Sequence, residues 1–284
     1  GLLALLDAGL AVPRAWVVLP LGPGASEEIQ PLQAELARLG IKHVAVRSSA
    51  TGEDSEAASF AGMHDTILGV ALSHLPSAIE EVAVSPLAAR VQAYRASMGQ
   101  PAASGPCSVV VQEMVNADFA GIAFSNGQGK AVTIEAVRGL GSVAVDGSAT
   151  PERIQLSQSN NSWQVLRRTG ARQPFMFSIV KGALHPRPLT PSESGGPLLS
   201  DTVAQEIARA VALLDVRMGV RVDCEWAVEG ERLWFLQARP QTRELEPGLP
   251  AGVHWSRVNV REVFAEVPSA AMRSLMPDYA ASVP

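Results

Sequence analysis

Between Val222 and Pro240 the sequence carries two carboxylates, an amide oxygen and a guanidinium at spacings that a β-hairpin would bring together. The runs Val-Asp-Cys-Glu-Trp-Ala-Val and Leu-Trp-Phe-Leu-Gln-Ala-Arg-Pro are apolar and β-prone, and a polar connector containing Gly230 joins them. Side chains alternate along a strand, so Asp223 and Glu225 share one face, opposite Val222, Cys224, Trp226 and Val228. On the returning strand Gln237 and Arg239 share a face, with Trp234, Leu236 and Ala238 on the other. An odd loop such as Gly230–Arg232 would set Glu225 opposite Gln237 and Asp223 opposite Arg239, whereas an even loop would separate them. The first arrangement suits Mg²⁺ and phosphate together. Mg²⁺ takes one or two protein oxygens and fills its other positions with water and phosphate oxygens, and an arginine offers phosphate a fixed fork. The same residues also read as a surface hairpin with ordinary cross-strand ion pairs.

A second candidate follows the predicted strand His43-Val44-Ala45-Val46, which delivers Arg47-Ser48-Ser49-Ala50-Thr51-Gly52-Glu53-Asp54 and then Ala58-Ser59-Phe60-Ala61-Gly62. Small and hydroxyl residues at a strand end let backbone N–H groups approach an anion, and Arg47 adds positive charge. A solvated Ser/Thr/Gly loop is the alternative reading.

The elements that would position these groups read as α+β. Helices are predicted at Leu2–Ala8, from Ser26 to Leu39, in two pieces from Leu75 to Met98 broken at Ser85-Pro86, and from a Thr202–Gln205 capping box to Met218, stopped by Gly219. Strands are predicted at Ala15–Leu19, Ser108–Val115, Ala120–Ser125, Ala131–Ala136, Arg153–Leu156 and Trp163–Leu166, with hairpin turns near Asn126-Gly127 and Asn160-Asn161. Residues 169–200, rich in Gly, Pro and Ser, read as a long loop or lid. Gly139-Leu140-Gly141-Ser142-Val143-Ala144 meets a loose dinucleotide pattern, but Gly147 and Pro151 stand where its helix should begin, so a dinucleotide oxidoreductase is a third reading that rests on this pattern alone and requires NAD binding.

With 284 residues, 47% of them hydrophobic, the chain can bury a core and form two subdomains. Its 28 acidic and 23 basic residues, without a Lys/Arg block, argue against nucleic acid. No apolar run approaches the ~18 residues of a membrane span. Two cysteines without zinc spacing point to a reducing cytoplasm. Gly1 in place of Met implies a piece upstream.

Three segments in order resemble the nucleotide-binding domain of pyruvate phosphate dikinase, phosphoenolpyruvate synthase and rifampin phosphotransferase. They are Val46–Asp54 with Ala58–Gly62; Val109–Val115 with Gly121, Phe124, Ile134-Glu135-Ala136 and Gly139-Leu140-Gly141; and Asp223-x-Glu225-Trp226 with Leu236-Gln237-x-Arg239-Pro240. The resemblance implies an ATP-grasp fold with nucleotide between two antiparallel subdomains. Residues 1–105 would form the first, with the Arg47 loop, and 106–240 the second, with the adenine strand and metal hairpin. Residues 241–284 would be a linker and the start of a substrate-type domain, since Trp255–Val263 resembles the rifampin branch.

By the same resemblance the β-phosphate of ATP passes to a histidine on a separate swivelling domain and then to a small-molecule acceptor, releasing AMP. Glu225 and Gln237 would hold Mg²⁺, Arg47 and Arg239 would grip phosphates, and Asp223 would orient metal or arginine. Gln112, Glu113, Met114 and Val115 would face the adenine, with backbone groups of Glu113 and Val115 reading its edge. Thr51 and Glu135 would also lie at the nucleotide. The family's phosphate-binding Lys, in a Gly-Gly-Lys-Gly stretch, would precede Gly1. Its Thr-Ser-His-Ala motif matches none of His43, His64, His74, His185 or His254, so this piece is expected not to complete a turnover alone. A phosphoenolpyruvate synthase domain, an ATP-grasp biosynthetic ligase and a non-catalytic ATP-binding module are the competing readings.

Overall fold

Valine- and isoleucine-rich runs become strands, and stripes of apolar residues three or four apart become helices. In chain order the elements are α1 (Leu2–Asp7), β1 (Ala15–Val18), α2 (Ser26–Arg38), β2 (His43–Ser49), β3 (Thr66–Ala71), α3 (Leu75–Val84), α4 (Ala89–Ser97), β4 (Ser108–Glu113), β5 (Phe119–Ser125), β6 (Ala131–Arg138), β7 (Glu152–Ser159), β8 (Ser162–Thr169), β9 (Ala171–Arg172), β10 (Phe175–Val180), β11 (Ala183–Pro188), β12 (Gly195–Gly196), α5 (Asp201–Met218), β13 (Val222–Glu229) and β14 (Arg232–Pro240). This computed structural model describes residues 1–20, 26–49, 66–97, 99, 101–141, 149–160, 162–180 and 183–241. Gly1–Arg243 make one unit. The second, Glu244–Pro284, lies outside the described residues, and so does the Trp255–Val263 resemblance.

Two antiparallel sheets carry the fold, as the α+β reading expects. The first runs β1-β4-β2-β3. Its Val44, Val46, Val109 and Val111 pack against Ile29 and Leu36 of α2 and against Leu75, Ile79 and Val82 of α3. The second runs β14-β13-β5-β6-β7-β8. One face, with Ala123, Ile134, Ile154, Cys224 and Trp226, is covered by Ile207, Val211 and Leu214 of α5 and by Leu5 of α1. Each fully buried Ile, Leu or Val among them contributes roughly 1.5–3 kcal/mol. Helix α5 is capped by Ser200, whose hydroxyl accepts from the Val203 N–H at 3.3 Å, rather than by Thr202, and Gly219 ends it at φ 69°. The opposite face of the second sheet carries the polar residues of β13 and β14.

Two sequence expectations give way. The sheets do not divide at residue 105: β4 lies between β1 and β2 in the first sheet, while α1 packs into the core of the second. Residues 169–200 are not a structureless loop, because β10 and β11 pair from Phe175↔Pro188 to Val180↔Ala183. Pro186, Pro188 and the half-exposed side chains of β10 hide this hairpin from a pattern search.

Candidate functional site

Register decides whether the polar residues of β13 and β14 meet. The turn is Gly230-Glu231, since Glu229 pairs with Arg232, and this even loop by itself would put Leu236 opposite Glu225. A β-bulge intervenes between Glu225 and Trp226: Leu236 is the extra residue on β14, and Glu225↔Gln237 and Asp223↔Arg239 are restored. The loop is even, the case expected to separate these residues, yet the bulge brings the same pairs together. The bulge also corrects the faces. Leu233, Phe235 and Ala238 enter the main core, whereas Trp234 and Leu236 join Ala120, Ala227, Leu140, Met114 and Val115 on the sheet's other side.

Arg47 reaches this face from β2 of the first sheet. Its Nη1 donates to Glu225 Oε2 at 2.8 Å and to Gln237 Oε1 at 2.9 Å. Arg239 donates from Nε to Asp223 Oδ2 at 3.1 Å, and its Nη2 forms an ion pair with the same oxygen at 3.1 Å. Arg47 Nε and Asp223 Oδ1 are buried and have no hydrogen-bond partner among the described residues. Burial acts to raise the Glu225 pKa, but the Arg47 charge and hydrogen bond outweigh it and hold the carboxyl below the ordinary value. For Asp223 the balance reverses: burial, aided by the charges of Glu225 and Glu135, pushes it up despite Arg239. Burial also raises the Cys224 thiol well above its usual range.

The remaining sequence-derived candidates have partners of their own. Gln112 is buried and donates from Nε2 to the Leu236 carbonyl at 3.4 Å, linking the first sheet to the bulge. The Glu113 carboxylate accepts two bonds from Arg14, at 2.9 and 3.0 Å, and the Glu113 N–H donates to the Arg14 carbonyl. The Met114 N–H donates to the His43 carbonyl, and the Met114 and Val115 side chains join the apolar cluster with Leu236. Glu135 accepts from Arg153 Nε at 3.0 Å. It shares a row with Glu225, but Ile122 stands between them, so their backbones lie two strands, about 10 Å, apart. Thr51 lies outside the described residues.

Sequence reasoning missed Arg14 and Arg153, the partners of Glu113 and Glu135. It also missed Phe177 and Ile179 of β10, which close the apolar cluster over Leu140 and Val115. The alternation Phe175, Phe177, Ile179 was the available signal. Gly139 has a packing reason: at φ 72° its added Cβ would lie 2.5 Å from the Phe177 carbonyl oxygen, and Leu140 donates its N–H to that same oxygen at 3.2 Å.

Two guanidiniums, two carboxylates and an amide oxygen thus sit beside an apolar cluster between two sheets, a combination suited to a ligand with one phosphate-rich and one flat apolar end. Across residues 11–248 the sequence matches the pyruvate phosphate dikinase AMP/ATP-binding domain. The chain belongs to this family. All the candidate residues, from Arg47 to Arg239, fall within the span matched by the pyruvate phosphate dikinase AMP/ATP-binding domain. The phosphoenolpyruvate synthase of Deinococcus radiodurans is 32% identical over 261 residues, 86% of this chain and 33% of the relative. The rifampicin phosphotransferase of a Streptomyces species is 29% identical over 226 residues, 78% of this chain and 26% of the relative. The chain thus spans 33% and 26% of the length of these two relatives. A solved N5-carboxyaminoimidazole ribonucleotide synthetase in complex with ADP aligns with 92% of the chain and 49% of its own at 9% identity and a TM-score of 0.43.

Among the described residues no three His, Cys, Asp or Glu side chains gather as a metal cage, and no helix is long and apolar enough to cross a membrane.

Proposed function

We propose that this member of the pyruvate phosphate dikinase AMP/ATP-binding family is the ATP-grasp, nucleotide-holding part of a dikinase-type phosphotransferase. ATP would lie between the two sheets. Its adenine would sit at Gln112–Val115 and Leu236, and its triphosphate over Arg47, Asp223, Glu225, Gln237 and Arg239. The observation that carries this reading is the convergence of Arg47, from one sheet, on Glu225 and Gln237 of the other. In the full protein the β-phosphate would pass to a histidine on a separate swivelling domain and from there to a small-molecule acceptor bound by a substrate domain, with release of AMP. A cytoplasmic location accompanies the reading, consistent with two buried cysteines that form no disulfide.

The donor set fits Mg²⁺. Glu225 and Gln237 present oxygens side by side, and Asp223 Oδ1 is a buried oxygen lacking a partner among the described residues. Mg²⁺ needs no more than one or two protein carboxylates when phosphates complete its shell. Glu225 and Gln237 would hold it, and when bound it would neutralise charge building on the phosphates. The chain's own residues do the rest by positioning. Arg47 and Arg239 grip phosphate oxygens, and Asp223 Oδ2 fixes the Arg239 guanidinium by accepting from its Nε and pairing with its Nη2. The aliphatic side chains of Leu236, Leu140 and Ile179 exclude water from the base.

Isothermal titration calorimetry of the chain with ATP, with and without Mg²⁺, tests the reading. Mg²⁺-dependent ATP binding is expected. If ATP fails to bind even to the full-length protein, the assignment is wrong.

A further inference from the structure

A single nitrogen, Arg47 Nη1, lies 2.8 Å from Glu225 Oε2 and 2.9 Å from Gln237 Oε1. These are the same side chains that the proposed function gives to a divalent cation, and any role of Arg47 toward that cation rests on that reading. A Mg–O bond of about 2.1 Å needs both oxygens to direct lone pairs at one point. Here both direct them at a guanidinium, whose charge also repels an incoming cation. The Arg47 contacts and a cation bridging the two oxygens exclude one another.

Among the described residues, the nearby charges offer Arg47 no second acceptor. Arg47 and Arg239 balance Glu225 and Asp223, and Asp223 Oδ2 is already engaged by two nitrogens of Arg239. Arg47 Nε is buried without a partner among the described residues, so the guanidinium retains an unmet donor. A bare divalent cation would have to expel Arg47 from its acceptors and supply none in return. A polyphosphate supplies them: its oxygens can take Arg47, and Glu225 and Gln237 are then released to the metal.

We infer that Arg47 is an internal stand-in for the metal, so that the site accepts a divalent cation only together with a polyphosphate. The role is one of selection, discriminating a metal–polyphosphate complex from the metal alone.

Mn²⁺ serves as the probe, its binding followed by electron paramagnetic resonance on the chain in the absence of nucleotide, then with tripolyphosphate and with a non-hydrolysable ATP analogue. The wild-type chain is expected to bind Mn²⁺ at this site only when one of the polyphosphates is present. Arg47→Gln should bind one Mn²⁺ without polyphosphate at least 10-fold more tightly than wild type, and Arg47→Gln/Glu225→Gln should lose that gain. Arg47→Lys, which keeps the charge, should exclude bare Mn²⁺ as wild type does. Wild-type binding of one bare Mn²⁺ with the affinity of Arg47→Gln, while the ATP analogue still binds, would overturn this inference and leave the functional reading intact. Failure of the ATP analogue to bind would instead remove the functional reading, and this inference with it. Should Arg47→Gln not fold, tight bare-Mn²⁺ binding to wild type that is lost in Glu225→Gln remains decisive against it.

Discussion

Replacing Glu225 by alanine separates a metal ligand from a structural residue. The Arg47–Glu225 contact is 2.8 Å long, with side chains 15% and 31% exposed. A charge at Glu225 is therefore neither fully screened, as in a surface bridge worth about 0–1 kcal/mol, nor fully buried, as in a pair whose breakage costs about 3–5 kcal/mol, and its contact with Mg²⁺ should fall between the two. An intermediate loss of ~1–3 kcal/mol is expected in Mg²⁺-dependent ATP affinity, the scale of one charged contact and equivalent to a factor of roughly 5–150 in Kd. The sign without Mg²⁺ differs. There Glu225 repels the triphosphate and occupies Arg47, so its removal should leave ATP binding unchanged or slightly tighter. Calorimetric titrations in Mg²⁺ and in EDTA give the two numbers, and Glu225→Gln, which keeps the shape and a hydrogen-bond acceptor for Arg47, controls for local collapse. An equal loss with and without Mg²⁺ would refute the metal-ligand role and assign Glu225 to structure.

Three further outcomes are expected. Gly121→Ala would put a Cβ 1.8 Å from the Glu135 carbonyl oxygen and 2.9 Å from the Trp226 ring, so thermal unfolding should show a loss of ~3 kcal/mol or more; a variant as stable as wild type would mean β5 and β6 are not so closely apposed. Gly139→Ala drives a Cβ against the Phe177 carbonyl oxygen and Met176, and should speed amide hydrogen exchange in residues 175–188 while leaving α5 protected. Glu193 is held down to about 2 by its bonds from Arg187 and from the Thr190 amide and hydroxyl. Its folded pKa lies below the ordinary 4.5, so its stabilising effect is present above 4.5 and fades as pH falls toward 2. Carbon-13 NMR should find that midpoint, and Arg187→Gln should move it back up.

The polar hairpin was readable because alternation along a strand is local: Asp223 and Glu225 had to share a face whatever the turn did. The way Gln237 came to face Glu225 was not, since a bulge at Leu236 depends on how β14 packs. The sequence reads just as well with an odd loop. Helices with complete apolar stripes, α3 and α5 among them, were legible for the same local reason. Arg153 and Glu135 carry the correct parity for one face. Their pairing nevertheless depends on the β6–β7 register, set across an intervening segment that periodicity does not measure. Strand β4 was found, but its place between β1 and β2 was not, because sheet order is a property of long-range packing.

That insertion bears on how the polypeptide is made. At a synthesis rate of roughly 5–20 residues per second, β1 and β2 leave the ribosome seconds before the strand that must separate them. Until Ser108–Glu113 emerge, β2 can hydrogen-bond only to β3, and an exposed valine edge is offered to any neighbouring nascent chain. Helix α1 waits longer still, since the α5 and β14 surfaces that cover Leu5 belong to the last elements of this unit to appear. Productive folding of this unit therefore waits for β14, and premature termination before that strand should yield aggregate rather than a smaller working domain.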